Sequence, residues 1–180
     1  MKEDCIEQWF ELYERDITSF LIYLTGTRDV EDYVQETFLI AMKKMPGFKG
    51  ESHPKTWLIS IARNMVIDKY RRNQVWNKIK RYLTDEQQAP ADSEKLVMKN
   101  QEHEQLYRAI RQLSPLYKEV VILRGILELS SKETSDILKC SGNKVNVTYH
   151  RALKKLKEIL EKEGFYFEGA ADRRETKEPS

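Results

Sequence analysis

Lys144, Asn146, Val147, Thr148, His150 and Arg151 fall within one short segment. Lys, Asn and Arg can hydrogen-bond base edges, Val147 can pack on a thymine methyl, and Lys154 and Lys155 beyond them suit phosphates. Val145, Tyr149 and Ala152 recur at helical spacing, so with those turned inward the polar set, Thr148 included, points outward from the N-terminal part of a helix. In helix-turn-helix proteins that part enters the major groove. A solvated basic helix in a bundle carries the same pattern.

A second set lies upstream. From Arg63 to Arg81 the chain is strongly basic, with Tyr70, Trp76 and Tyr82 interleaved. Cations track a phosphate backbone and aromatic faces stack on unpaired bases, the combination used for single strands. A charged outer face with half-buried aromatics is the other reading. The loop Phe48–His53, just ahead, has the place to seat an extruded base. A third set, Asp29, Glu31, Asp32, Gln35 and Glu36, is acidic; it fits a solvated helix start that complements the helix dipole, or a protein-docking face.

Catalytic sets are missing. His53, His103 and His150 sit in separate segments with no Cys or carboxylate at ligand spacing, and no G-x-x-x-x-G-K-[ST] loop occurs. We therefore expect no enzyme activity, no cofactor and no metal. Cys5 and Cys140 are far apart, no signal peptide opens the chain, and no run of eighteen apolar residues exists, which together predict a cytoplasmic protein.

Helices must position these sets. Seven Gly and five Pro in 180 residues argue against a turn-rich β protein. Ile6, Phe10, Tyr13, Ile17, Phe20, Leu21 and Leu24 form one apolar stripe, ended by Gly26-Thr27. A second helix runs from about Asp29 to Lys44, closed by Pro46-Gly47. Pro54 opens a third, bearing Trp57, Leu58, Ile61, Met65 and Ile67. Residues 77–104 lose this regularity and read as a flexible tether with helix allowed at either end. Ser114-Pro115 marks a helix start, and Ser130-Ser-Lys-Glu133 has capping-box spacing for a short helix to about Leu138. After Lys139–Gly142 turns, a longer helix follows from about Asn143 to Glu161. The polar tail from Gly164 reads as mobile. The fold expected is all-α: a domain over 1–76, a linker over 77–104, a helix-turn-helix domain over 105–163 and a tail over 164–180.

Charge divides the chain too. Net charge is +2, yet residues 1–36 hold three Lys/Arg against ten Asp/Glu, while 37–81 hold eleven against two. An acidic part beside a basic one suggests two different partners.

The order of these motifs resembles the extracytoplasmic-function (ECF) sigma factors, the small group of the sigma-70 family. Asp29-Val-Glu-Asp-Tyr-Val-Gln-Glu-Thr-Phe38 looks like their acidic helix; Phe48-Lys-Gly, Lys55-Thr-Trp-Leu-Ile-Ser-Ile-Ala-Arg-Asn64 and Asp68-Lys-Tyr-Arg-Arg72 resemble the next blocks. Leu113-Ser-Pro-Leu-Tyr117, Val121-Ile-Leu-Arg124, Leu129-Ser130, Val145, His150-Arg-Ala152 and Lys155-Leu156 continue the match, which spans residues 6–162. The resemblance implies that Asp29, Asp32, Gln35 and Glu36 dock on the clamp helices of core RNA polymerase, whose flap is a further contact. It implies that Phe48, Lys49, His53, Asn64, Asp68, Lys69, Arg71 and Arg72 melt and read a single-stranded −10 element. Lys144, Asn146, Val147, Thr148, Arg151, Lys154 and Lys155 would read a duplex −35 element. It also implies a nucleoid-associated protein, monomeric when free, with an anti-sigma partner that is often membrane-bound. Thr148 stands where members mostly carry Arg, Val147 where a small polar residue or Lys is frequent, Asn143 for a common Gly, and Ser131-Lys132 for an aromatic-acidic pair. These departures bear on the −35 sequence read, because the inward positions are intact. The rival expectation is a helix-turn-helix regulator whose first domain binds a ligand or dimerises; it would bind a palindromic duplex without polymerase.

Overall fold

A computed structural model describes residues 2–83 and 101–164, and among them there are helices and no strand. The tether's central part, the tail, and the side chains of Trp76 and Tyr82 lie outside the described residues.

Helix α1 (Lys2–Thr25) buries Ile6, Ile17, Phe20 and Leu21 on the expected stripe. Phe10 stays 41% exposed but meets Phe38 edge-on, ring centroids 4.9 Å apart. Gly26 ends the helix at φ +76°, a conformation that costs a side-chain-bearing residue about 1–2 kcal/mol. Helix α2 (Glu31–Lys44) begins two residues later than expected, because the Asp29 N–H turns back onto Thr27 Oγ1 and Val30 takes the cap. Val34, Phe38 and Ala41 point inward. A tight turn (Met45–Gly47) and the loop lead to α3 (Pro54–Leu83), with Pro54 in its first turn as expected. Helices α1, α2 and α3 pack on one another, with Leu58, Ile59, Ala62 and Met65 of α3 buried between them.

The second half comprises α4 (Gln101–Arg111), α5 (Pro115–Val121), α6 (Ser131–Leu138) and α7 (Gly142–Lys162). Helix α5 runs on into a π-helical turn at Ile122–Ile126, where the Leu127 N–H reaches the Ile122 carbonyl at 2.9 Å. The capping box forms as expected: the Glu133 N–H donates to Ser130 Oγ, and the Ser130 N–H to the Glu133 carboxylate. Lys139 takes φ +54° to make the turn, and Ser141 Oγ caps α7 by accepting from the Lys144 N–H.

Helix enters the expected tether from both ends, as its reading allowed: α3 continues to Leu83 and α4 starts at Gln101. Between Lys55 and Leu83 there is neither Gly nor Pro, so each added residue gains a helical bond and nothing interrupts propagation.

The two halves touch. Arg63 places Nε and Nη2 at 3.0 and 2.8 Å from Glu119 Oε2, Thr56 Oγ1 donates to Glu133 Oε1 at 3.2 Å, and Arg28 pairs with Glu104 at 2.6 Å. α1 also packs on the π-helical turn, so one apolar cluster runs through both halves.

Candidate nucleic-acid interface

Capping at both ends of the turn fixes how α6 and α7 cross, and hence which face of α7 stays open. Val145, Ala152 and Leu156 are buried; Lys144, Asn146, Arg151, Lys154 and Lys155 are exposed, and Val147 is 50% exposed although apolar. Thr148 corrects the sequence expectation: it is only 8% exposed and faces the core. A period of 3.6 residues places both 148 and 149 near the inward seam after Val145, and Tyr149 is the one that lies half out, its ring under the Arg124 guanidinium at 5.4 Å. Thr148 is thereby removed from the groove-facing set. Lys155 pairs with Glu158 at 3.1 Å along the helix, and Ser131 of α6 hydrogen-bonds the Asn146 carboxamide.

In the first half, Asp32 and Gln35 are exposed on α2, and Asp29 is exposed just ahead of it. Glu36 pairs with Lys69 of α3, whose ammonium also lies 4.5 Å from the Tyr33 ring centroid. Residues expected to meet two different partners thus meet each other. An open groove between α2 and α3 is lined by Glu36, Lys44, Asn64, Asp68, Lys69 and Arg72. Asn64, Asp68, Arg71 and Arg72 are exposed along α3, as is Tyr70.

The loop is less free than its composition suggests. Phe48 is half-buried in an aromatic cluster, 4.7 Å from Trp57 and 5.4 Å from Trp9 by ring centroids. His53 is exposed and lies 5.7 Å from Tyr13, while its Nδ1 accepts from the Lys55 N–H at 3.3 Å. Lys49 is exposed. Gly50 turns the loop at φ +73°. Trp9 and Tyr13 support the loop from one face of α1, a role signalled in the sequence only by their four-residue spacing. Leu39 and Met42, absent from the sequence expectation, are 55% and 47% exposed on α2 and extend the Asp32–Glu36 face with apolar surface.

Electrostatics tie the halves together at Glu133. The Ser130 hydroxyl and N–H, Thr56 and the nearby His53 all favour its charged form and hold its carboxyl below the ordinary glutamate range, against partial burial. Among the described residues no cluster of His, Cys, Asp and Glu could hold a metal, and no helix is long and apolar enough to cross a membrane.

Known proteins share this arrangement. The family model for Sigma-70 region 2 matches residues 9–75, and that for Sigma-70, region 4, matches residues 103–156. The ECF RNA polymerase sigma factor SigX of Bacillus subtilis (strain 168) is 31% identical over 88% of this chain and 85% of its own length. The RNA polymerase sigma factor YlaC of the same organism is 32% identical over 88% and 94%. Among solved structures, the sigma factor RpoE in complex with the anti-sigma factor NepR from Bartonella quintana superposes with a TM-score of 0.70, at 26% identity over 86% of this chain and 96% of that one. CnrH in complex with the cytosolic domain of CnrY, at 20% identity and a TM-score of 0.65, shares the fold. Two family domains in order, carried on two helical units with an open helix-turn-helix face, place this chain in the sigma-70 family as an ECF-type RNA polymerase sigma factor, a DNA-binding transcription initiation factor and not an enzyme.

Proposed function

We propose that this sigma factor divides its work by surface. Asp32, Gln35 and Glu36, with Asp29 beside them, dock on the polymerase clamp helices, and Leu39 and Met42 add apolar area to that contact. Lys49, His53, Asn64, Asp68, Lys69, Arg71 and Arg72 engage the single-stranded −10 element, with Phe48 fixing the loop from within. Lys144, Asn146, Val147, Arg151, Lys154 and Lys155 read the duplex −35 element; Thr148 supports the helix from inside. The functional domains are residues 1–76 and 105–163. The protein works in the cytoplasm on the nucleoid, and an anti-sigma factor holds it when idle, as NepR and CnrY are found with RpoE and CnrH.

The observation that carries this reading is the α7 face: Val145, Thr148 and Ala152 are buried while Lys144, Asn146, Val147 and Arg151 are exposed on the same turns. A basic, hydrogen-bonding surface at the start of the second helix of a helix-turn-helix is what groove entry requires.

Simultaneous use of both elements requires the halves to separate. Elements named −10 and −35 lie about 25 steps apart, roughly 85 Å at about 3.4 Å per step. Thr56 and Glu133, one from each half, are 3.2 Å apart. Docking on polymerase supplies the energy to part them, and the tether then lets two modest contacts combine through effective concentration.

The docking assignment is tested by Asp32→Lys. Affinity for core polymerase should fall at least tenfold, with thermal stability unchanged because Asp32 is exposed. Unchanged affinity would remove α2 from the docking surface.

A further inference from the structure

The helix-turn-helix contains one side-chain contact that the division of labour above leaves unused. Ser131 lies at the first position of α6 and Asn146 in the second turn of α7, and the Ser131 hydroxyl hydrogen-bonds Asn146 Oδ1. Ser130 is already committed to the cap through Glu133, so the two neighbouring serines have different tasks. Both helix starts are fixed by caps, on Ser130 and on Ser141, and both side chains are short, so the contact needs little ordering beyond what the backbone already supplies.

An asparagine carboxamide offers an acceptor on one side and two donors on the other. An exposed asparagine without a neighbour turns either side to a ligand. Here the hydroxyl donates to Oδ1, and because Asn146 is exposed its N–H₂ group remains the side free to meet a ligand. In the major groove, guanine presents N7 and O6, adenine N7 and thymine O4 as acceptors, whereas cytosine presents only the N4 amino donor. An outward donor pairs with the first three bases and opposes the fourth.

We propose that Ser131 is a specificity-determining positioning residue: it locks the Asn146 carboxamide so that α7 reads an acceptor base at one −35 position and rejects cytosine there. The inference rests on α7 being the −35 reader. It also gives a physical meaning to Ser131 standing where the resemblance leads one to expect an aromatic residue, which has no hydroxyl at that reach.

The test uses holoenzyme assembled from core polymerase and the full chain, in competition binding on promoter duplexes with every −35 position varied to all four bases. Asn146→Ala should flatten the profile at one position by about 5- to 150-fold. Ser131→Ala should relax that same position by roughly two- to tenfold, with cytosine the base that gains, because the amide can then rotate. Ser131→Thr keeps the hydroxyl and should restore the profile. Ser131→Asp offers only an acceptor, which draws the N–H₂ inward, turns Oδ1 outward and should make cytosine the preferred base at that position. Uniform weakening by Ser131→Ala at every sequence, or an unchanged profile while Asn146→Ala changes one position, overturns the role of Ser131. A flat response to Asn146→Ala itself overturns the reading of α7, and the two failures are thereby told apart.

Discussion

The two surfaces proposed to face DNA are prepared differently. On α7 the proposed −35 readers stand exposed on a helix capped at its start, and Asn146 stays exposed while it accepts from Ser131. On α3, Lys69 is engaged by Glu36 and Tyr33, and Phe48 is packed among Trp9 and Trp57. The difference follows the substrates. Duplex DNA has a fixed shape, so a preformed reader loses little on binding. A single strand must first be melted, and in the proposed division of surfaces a site whose cation is paired with Glu36 holds its attraction back until polymerase docks. By linkage, if docking parts Glu36 from Lys69, polymerase raises the affinity of Lys69 for the strand by the same factor as the strand raises affinity for polymerase.

The largest expected effect concerns the contact between the halves. Arg63 and Glu119 are mostly buried, so Glu119→Arg sets two cations together and should weaken the closed arrangement by about 1.5–3 kcal/mol. The chain should expand in small-angle scattering, and adding Arg63→Glu should return it to the compact form; expansion that the second change does not reverse would mean the pair does not join the halves. Next, Arg151→Ala should cost about 1–3 kcal/mol in −35 duplex binding at one base position only. Equal loss at every promoter would reassign it to phosphate. Glu36→Gln should raise affinity for a single-stranded −10 oligonucleotide about two- to fivefold in the free chain while lowering affinity for polymerase, since the pair it breaks is half-exposed. No change in strand binding would remove the contrast drawn above. Lys154→Ala should weaken all duplex sites alike and reduce the salt slope by about one.

The smallest effect is acid sensitivity. The Glu133 carboxyl is held below its unfolded value, so the stabilisation it gives is complete above the ordinary glutamate range and is lost as pH falls through the folded value. Unfolding followed by circular dichroism should show the helix-turn-helix loosening as pH falls below the ordinary glutamate range, with Glu133→Gln removing that dependence.

Local signals carried most of the fold. Pro54 and Pro115, the Ser130–Glu133 box and the Gly26 stop each act within a few residues, and each appears where expected. What was illegible depends on tertiary partners or on fine register. Thr148 and Tyr149 share the edge of one seam, and periodicity alone does not say which dips inward. The π-helical turn at Ile122–Ile126 has no composition of its own. Phe48 is a loop residue whose partial burial was illegible because Trp9 and Trp57, which pack on it, come from two helices. The continuation of α3 to Leu83 was legible in its lack of breakers but masked by polar composition. Ser131 and Asn146 are linked only by the crossing of α6 on α7.

The central claim is that one chain brings polymerase to promoters by reading two separated elements. Transcription in vitro from total genomic DNA by core polymerase, with and without this protein and with RNA 5′ ends mapped, tests it most directly. The account predicts new start sites that share a −10 and a −35 motif at constant spacing, and the loss of those starts with Asp32→Lys. No new starts with active core and folded protein, or starts sharing only one motif, would contradict it.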